Sequence, residues 1–468
     1  MSVEEYSRYT LLSGSNSSSW SLDKRTVILI SVLTFPVFMF CITYMTLLGV
    51  YEKVVYPIRN LEEIRQQNVH RALAYNTFGD ETNTSYSFYL NSKRYSADIG
   101  EFKLVCYYNF PSRPDSLQTE DIDPFLCTHI NVGFVEVVNN SIFLSADKQA
   151  LLKELVKLKT FNAKLKILLS VGGAGGATGF SEMVINHANR KSFIQSVINY
   201  VKDYHIDGID LDWEFPNEDP GNDKYQKMHF TQLLEEMRTC VQRQPKYAFL
   251  VSVAVAATSN IISNSYDVSY MNSYVDYINL MAYDYHYYTK YTPFTGINSP
   301  LYASESEKYY LGTLNTNYSA NYWHFLGMDK SKIIVGLPTY AHTFTLTNFR
   351  NNGLYAPASG FGKLGSLGFA GYPQICQFLS TNQISPIFDM ESKSPYAVKL
   401  SEWVSFEDAE SLTYKTEYIR DNKFGGAMVY CLNSDDYKGI CKANGKTGIR
   451  FPLTNVVKQI LMDNDGSG

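Results

Sequence analysis

From Leu104 onward the chain alternates short apolar runs, rich in β-branched residues, with longer stretches whose apolar positions recur at helical spacing. Eight runs have strand character: Lys103 to Tyr108, His129 to Val135, Lys166 to Val171, Gly208 to Trp213, Phe249 to Val255, Tyr277 to Tyr283, Ile333 to Thr339 and Ala427 to Leu432. Amphipathic stretches such as Lys148 to Leu158, Arg190 to Tyr204 and Tyr225 to Arg243 lie between them. Alternating strand and helix predicts a parallel sheet, and eight such units within about 360 residues fit a closed (β/α)8 TIM barrel of the α/β class. One interval is too long for a plain barrel. Thr339 to Trp403 is rich in Gly, Pro and Tyr and predicts an inserted small α+β lobe, 342–402, between the seventh strand and the last helix.

Ahead of this pattern, Thr26 to Val50 is an uncharged run of 25 residues, long enough as a helix to cross a hydrocarbon core of about 30 Å. Lys24 and Arg25 precede it, whereas Glu52 and Lys53 cancel after it, so the positive-inside rule keeps the N-terminus cytosolic. A cleaved signal peptide would have a shorter apolar core and a small-residue exit. The expected organisation is a cytosolic tail at 1–25, a transmembrane signal anchor at 26–50 in the lipid bilayer, a stem at 51–100, a catalytic domain at 101–462 and a polar tail at 463–468. Such a chain is a single-pass type II membrane protein with its large domain extracellular or lumenal. Six cysteines outside the span, and sequons at Asn83, Asn139 and Asn317, agree with that compartment. With 45% hydrophobic and 19% charged residues the bulk of the chain must fold, and 41 basic against 46 acidic residues with no long basic run argue against a nucleic-acid partner. A monomer is expected.

The densest chemistry is the run DGIDLDWEF, which holds Asp207, Asp210, Asp212 and Glu214. Strand alternation sends Asp210, Asp212 and Glu214 to one face at intervals of about 6.6 Å, with Ile209, Leu211 and Trp213 on the other. Three carboxyl groups on one partly buried face cannot all ionise cheaply, so at least one pKa must rise. A raised acid at the C-terminal end of a barrel strand is what a general acid near neutral pH requires. A calcium loop fails on the spacing, because Phe215 stands where the invariant glycine belongs and Gly221 where the chelating glutamate belongs. A solvated edge strand fails because apolar residues fill every intervening position.

These residues resemble glycoside hydrolase family 18, the chitinases and chitinase-like proteins, whose DxxDxDxE signature falls on Asp207, Asp210, Asp212 and Glu214. Further matching segments are SVGG at Ser170 to Gly173, NLMAYD at Asn279 to Asp284, GLPTYAHTFTL at Gly336 to Leu346, WVSFED at Trp403 to Asp408 and GGAMVY at Gly425 to Tyr430. The resemblance implies hydrolysis of β-1,4-linked N-acetylglucosamine polymers or oligomers such as chitin, with retention and without metal or organic cofactor. Glu214 is the implied proton donor, Asp212 the residue that positions the substrate's acetamide, Asp210 its proton-sharing neighbour and Tyr283 a further catalytic contact. Asp207, Tyr107, Gly172, Gly173, Met281, Asp284, Tyr340, His342, Met428 and Tyr430 are the implied substrate-binding residues, with Tyr340 and His342 placed on the seventh strand. The family's bridges carry over as Cys106 with Cys127 and Cys376 with Cys441. Cys240 and Cys431 are then buried thiols or a third bridge.

Several aromatic platforms of the family are missing. Tyr430 stands where relatives have Trp after the eighth strand, Ala174 follows the SVGG turn, Phe110 occupies a common Trp position, and Tyr287, Tyr288 and Tyr291 fill the loop after Asp284. Weaker polymer binding is the expectation. Two alternatives stay open: a membrane-bound lectin that holds chitin oligosaccharides without cutting them, and a hydrolase of N-acetylglucosamine linkages in glycoproteins.

Overall fold

The computed structural model describes residues 102–462 apart from 114, 219–223, 244, 245, 247 and 442–447. The segments 1–25, 26–50, 51–100 and 463–468, and with them Asn83, lie outside the described residues. Among the described residues no helix is long and apolar enough to cross a membrane.

Eight parallel strands close on themselves: β1 (Lys103–Asn109), β2 (His129–Val138), β4 (Lys166–Gly172), β5 (Gly208–Asp212), β6 (Leu250–Val255), β7 (Tyr277–Leu280), β8 (Ile333–Pro338) and β15 (Gly426–Tyr430), with β15 pairing back onto β1. All eight strands expected from the pattern are present in that order. A short strand β3 (Ser141–Phe143) folds back on the end of β2 and was not anticipated. The outer layer includes α1 (Ala146–Val156), α2 (Phe180–Val184), α3 (His187–Tyr204), α4 (Gln226–Arg243), α5 (Ser259–Ser265), α6 (Val268–Tyr274) and α7 (Thr316–Phe325). Strand side chains alternate between two cores. Leu104, Cys106, Ile209 and Leu211 face the helices, whereas Val105, Tyr107, Leu168, Tyr277, Ile334 and Met428 fill the barrel interior. Trp213 continues the outward set, with its ring stacked 5.2 Å from Phe180 and edge-on 5.6 Å from Phe230.

The lobe is a six-stranded antiparallel sheet built from β9 (Tyr340–Leu346), β10 (Ala358–Phe361), β11 (Phe369–Gly371), β12 (Ile387–Asp389), β13 (Ser394–Lys399) and β14 (Glu402–Ser405), with α8 (Tyr372–Asn382) inserted. One face buries Phe344, Leu346 and Trp403, and the other packs Ala341, Val404 and Phe406 with Ile375 of α8. The lobe therefore starts two residues earlier than the expected 342 and ends at Ser405. It leads into α9 (Ala409–Asp421), which precedes the eighth barrel strand, and the last helix, α10 (Pro452–Met462), comes only after that strand. Glu407 and Lys415 form a fully buried ion pair where α9 begins, and Asp435 caps α10 by accepting from the backbone N–H of Thr454 at 2.9 Å and its hydroxyl at 2.7 Å. Disulfides join Cys106 to Cys127 and Cys376 of α8 to Cys441. Cys240 and Cys431 are free thiols, so no third bridge forms.

Strand ends differ from the pattern by one to three residues, and at two of them the difference moves expected site residues. The seventh strand ends at Pro338, where the N–H of Thr339 makes the last ladder bond to the carbonyl of Tyr430 at 2.9 Å, and the chain passes from Tyr340 into the antiparallel pairing of β9. Tyr340 and His342 thus belong to β9 of the lobe and not to the barrel strand. β7 stops at Leu280 because the N–H of Ala282 bonds back to the carbonyl of Leu280 at 2.8 Å, which leaves Met281, Tyr283 and Asp284 on the rim loop.

Asp207 sits at the opposite end of β5 from this rim, about 17 Å along the strand from Asp212. Its carboxylate accepts from the N–H of Ile167 at 2.9 Å and pairs with Lys159 at 2.7 Å and Lys166 at 3.4 Å. It is a clasp on the N-terminal face of the barrel and not a substrate contact. Asp207→Ala should lower the unfolding free energy by about 1–3 kcal/mol, because it strands a backbone donor and two lysines. Urea denaturation of the two chains measures this, and an unchanged midpoint would remove the clasp assignment.

Candidate active site

The site is built on the inward face of β5. Asp210 is fully buried, and each of its oxygens takes two hydrogen bonds. Oδ2 accepts from Tyr107 Oη and Ser170 Oγ, both at 2.7 Å, and Oδ1 accepts from Ser252 Oγ at 2.7 Å and Asn279 Nδ2 at 3.0 Å. The register explains the convergence: Ser170 of β4 and Ser252 of β6 lie directly beside Asp210 in the parallel ladders. Burial raises the Asp210 pKa and the four neutral donors oppose the rise.

One pleat further up, Asp212 is 2% exposed and its Oδ1 has no hydrogen-bond partner among the described residues. Burial raises its pKa well above the usual carboxylate range, and the neighbouring charges of Glu214 and Asp210 add to the rise. Glu214, half-buried beyond the end of the strand, is pushed up to about 7, first by burial and then by the charge of Asp284. The glycines of the SVGG turn make room for this arrangement. A Cβ on Gly172 would lie 2.1 Å from the carbonyl oxygen of Asp212, and one on Gly173 would lie 2.7 Å from the ring of Phe134. Both have positive φ, and the N–H of Gly173 donates to the carbonyl of Asp212 at 2.9 Å. Their contribution is to seat Asp212 through backbone contact.

Around the acids lies a tyrosine floor. Tyr430 has its ring 5.5 Å from Tyr107, 5.8 Å from Tyr283 and 6.2 Å from Tyr340, in one apolar cluster with Met428 and, packed against it, Met281. Asp284 stands at the mouth in the left-handed region (φ 58°), and its Oδ1 accepts from Tyr340 Oη at 2.5 Å and lies 2.6 Å from His342 Nε2. The expected residues Tyr107, Asp210, Asp212, Glu214, Met281, Tyr283, Asp284, Tyr340, His342, Met428 and Tyr430 therefore converge, with Gly172 and Gly173 as their backing. Asp207 does not join them. Ser170, Ser252 and Asn279 were not singled out from the sequence, although each is a lone polar residue in an otherwise apolar strand run. Among the described residues no three His, Cys, Asp or Glu side chains are placed to hold a metal ion. Of the described sequons, Asn139 is exposed at the β2–β3 turn, whereas Asn317 is held within α7 by Tyr418 Oη at 2.9 Å.

A closed parallel barrel with a buried acid pair and a perturbed glutamate at its C-terminal rim defines the class as a barrel of the glycosidase type. Residues 103–435 match the model for glycosyl hydrolases family 18, and the chain belongs to that family. Mouse chitotriosidase-1 is 35% identical over 373 residues, spanning 77% of this chain and 78% of that protein. Among solved structures, human YKL-39, described as a pseudo-chitinase that retains chitooligosaccharide binding, superposes with a TM-score of 0.71 at 33% identity, covering 77% of this chain and 99% of that one. An active, immunomodulatory chitinase from Trichuris suis also gives a TM-score of 0.71, at 31% identity, with 77% and 100% covered.

The raised acids contribute to the pH dependence of stability with one sign, and buried His129, held down to about 4, opposes them below its ordinary 6.5. Folded Glu214 keeps its proton to about 7 against an ordinary 4.5, so between those values the unfolded state binds fewer protons and folding weakens as pH rises. Asp435, raised by burial to about 6 from 3.8, acts with the same sign over its own range. In calorimetry of the ligand-free chain, Glu214→Gln should remove a fall of the thermal midpoint between about pH 5 and pH 7 relative to the unsubstituted chain. Parallel midpoint-against-pH curves for the two chains would contradict the Glu214 assignment.

Proposed function

We propose that the chain is a chitinase-type glycosidase that cleaves β-1,4-N-acetylglucosamine linkages with retention. The observation that carries this reading is a buried aspartate, Asp212, whose Oδ1 has no partner among the described residues, two residues before a glutamate that burial and the charge of Asp284 push up to about 7. Glu214, neutral at working pH, donates its proton to the glycosidic oxygen as the C1–O bond breaks. The carbonyl oxygen of the substrate's own acetamide attacks C1 from the opposite face and closes an oxazolinium ring. Asp212 Oδ1 accepts the acetamide N–H, which orients the carbonyl oxygen toward C1. Glu214, now a carboxylate, takes a proton from the water that opens the ring at C1, so the configuration is restored and the acid regenerated. Asp284 keeps the Glu214 proton bound in the ground state, and the tyrosine floor receives the reacting sugar.

The binding-only alternative rests on YKL-39 and on Tyr430, whose ring offers a smaller face than an indole. The retained and perturbed Glu214 favours hydrolysis. The full chain should release the fluorophore from a chitotriose glycoside, and Glu214→Gln should lower turnover by at least about 10²- to 10⁴-fold. Oligosaccharide binding without turnover, indifferent to Glu214→Gln, would favour the lectin.

The uncharged segment 26–50 supports a membrane-anchored, type II placement, with the disulfide-bonded barrel on the extracellular or lumenal side. Alkaline carbonate extraction of membranes should leave the chain in the pellet, and full release to the supernatant would refute the anchor.

A further inference from the structure

Asp284 holds a left-handed backbone conformation (φ 58°), which a residue with a side chain keeps only when its surroundings impose it. Those surroundings converge on one residue. Asn298, 14 residues further along the rim loop, is 1% exposed, and its amide spans from that loop to the lobe. Asn298 Oδ1 accepts from the N–H of Asp284 at 2.9 Å, and Nδ2 donates to the carbonyl of Tyr340 at 3.3 Å. Its own backbone is pinned on both sides: the N–H donates to Ser405 Oγ of β14 at 2.8 Å, and the carbonyl accepts from the N–H of Tyr285 at 3.1 Å.

The two residues that the amide joins are also two that meet at the mouth. Tyr340 Oη donates to Asp284 Oδ1 at 2.5 Å, so Asp284, Asn298 and Tyr340 close a ring of hydrogen bonds, two through the amide and one through the phenol. His342, which lies 2.6 Å from the same carboxylate, stands opposite Ser405 in the ladder of β9 with β14. The strand pair that carries it is therefore tied to Asn298 as well.

Few side chains can complete this ring. One end must accept from a peptide N–H and the other must donate to a peptide carbonyl, both in a buried position. A primary amide does both without charge. A leucine of the same outline does neither, and a carboxylate would set a negative oxygen against the Tyr340 carbonyl. Of the groups whose charge bears on Glu214, Asp212 belongs to the same strand, and Tyr266, Tyr283 and Tyr430 are phenols that burial keeps neutral. Asp284 is the one whose place depends on how the rim loop is seated.

We infer that Asn298 is a positioning residue for the proton donor: by holding the N–H of Asp284 and the carbonyl of Tyr340 in one amide, it fixes the Asp284 carboxylate where its charge acts on Glu214. The step it serves rests on the hydrolase reading above; the geometry does not.

The test follows the Glu214 carboxyl directly and then through turnover. In infrared titration of the full chain, the carboxyl band that Glu214→Gln deletes should vanish at a pH about one unit lower in Asn298→Ala than in the unsubstituted chain. The alkaline limb of kcat/KM for a chitotriose glycoside should move the same way, with a loss of about tenfold near pH 8 and little change near pH 5. Thr295→Val is the comparison. Thr295 Oγ1 seats the same loop on the lobe by donating to the carbonyl of Gly353 and accepting from the N–H of Ala356, both at 2.9 Å, but its partners are neither Asp284 nor Tyr340. Its substitution strands as many buried groups and should leave the Glu214 band in place. Where Asn298→Ala folds poorly, Ser405→Ala removes only the acceptor behind Asn298 and should give a smaller shift of the same sign, a loss of roughly threefold near pH 8. An unmoved Glu214 band in folded Asn298→Ala, or failing that in Ser405→Ala, overturns the inference, as does an equal shift in Thr295→Val. A shifted band in a chain that turns over no glycoside upholds the positioning and rejects the hydrolase reading; turnover with an unmoved band does the reverse.

Discussion

The structure depends on keeping three carboxyl groups on one face of a strand inside a closed barrel without a cation to neutralise them. Asp210 meets this constraint through number and geometry: four neutral donors, two on each oxygen, make a buried acid tolerable where a lone one is not. A lysine in place of one of those donors would satisfy the same lone pairs but would also draw the neighbouring acids down toward ordinary values. Because the donors are neutral, burial and mutual repulsion raise Asp212 and Glu214. The proton on Glu214 is held in place by burial and by the charge of Asp284.

The two ends of β5 show the contrast within one element. At its N-terminal end Asp207 meets two lysines and a backbone N–H, an arrangement suited to a fixed negative charge and therefore to stability. At its C-terminal end the same residue types meet hydroxyls, an amide and one another, an arrangement suited to a mobile proton. The signature spans both ends, but only the upper part bears on chemistry, in keeping with the division of labour between the two faces of such barrels.

The barrel was legible because fully buried parallel strands are continuous apolar runs whose lengths and intervening helices leave few other folds open. The period-2 spacing of Asp210, Asp212 and Glu214 was legible for the same reason, and it continues past the last ladder bond, where Trp213 still packs outward. What could not be read is whatever depends on the register between strands far apart in the chain. Ser170 and Ser252 meet Asp210 across sequence separations of 40 and 42 residues, which no local pattern encodes. The transfer of Tyr340 to the lobe depends on the pairing of β9 with β11 and β14, and the end of β7 on one backbone bond from Ala282.

The placement of Tyr340 and His342 changes what the lobe is for. Both side chains come from β9, the central strand of the lobe sheet, and both engage the one carboxylate, Asp284, that the rim loop presents at the mouth. Asp284 in turn helps to hold the proton on Glu214. The lobe therefore bears on Glu214 through one intermediate without touching it, and a shift of β9 relative to the rim would alter the charge environment of Glu214. The ion pair of Glu407 with Lys415, buried directly below the last lobe strand, and the disulfide from α8 to Cys441 resist such a shift. Removing one member of that ion pair would leave a buried charge uncompensated at the point where the lobe returns to the barrel.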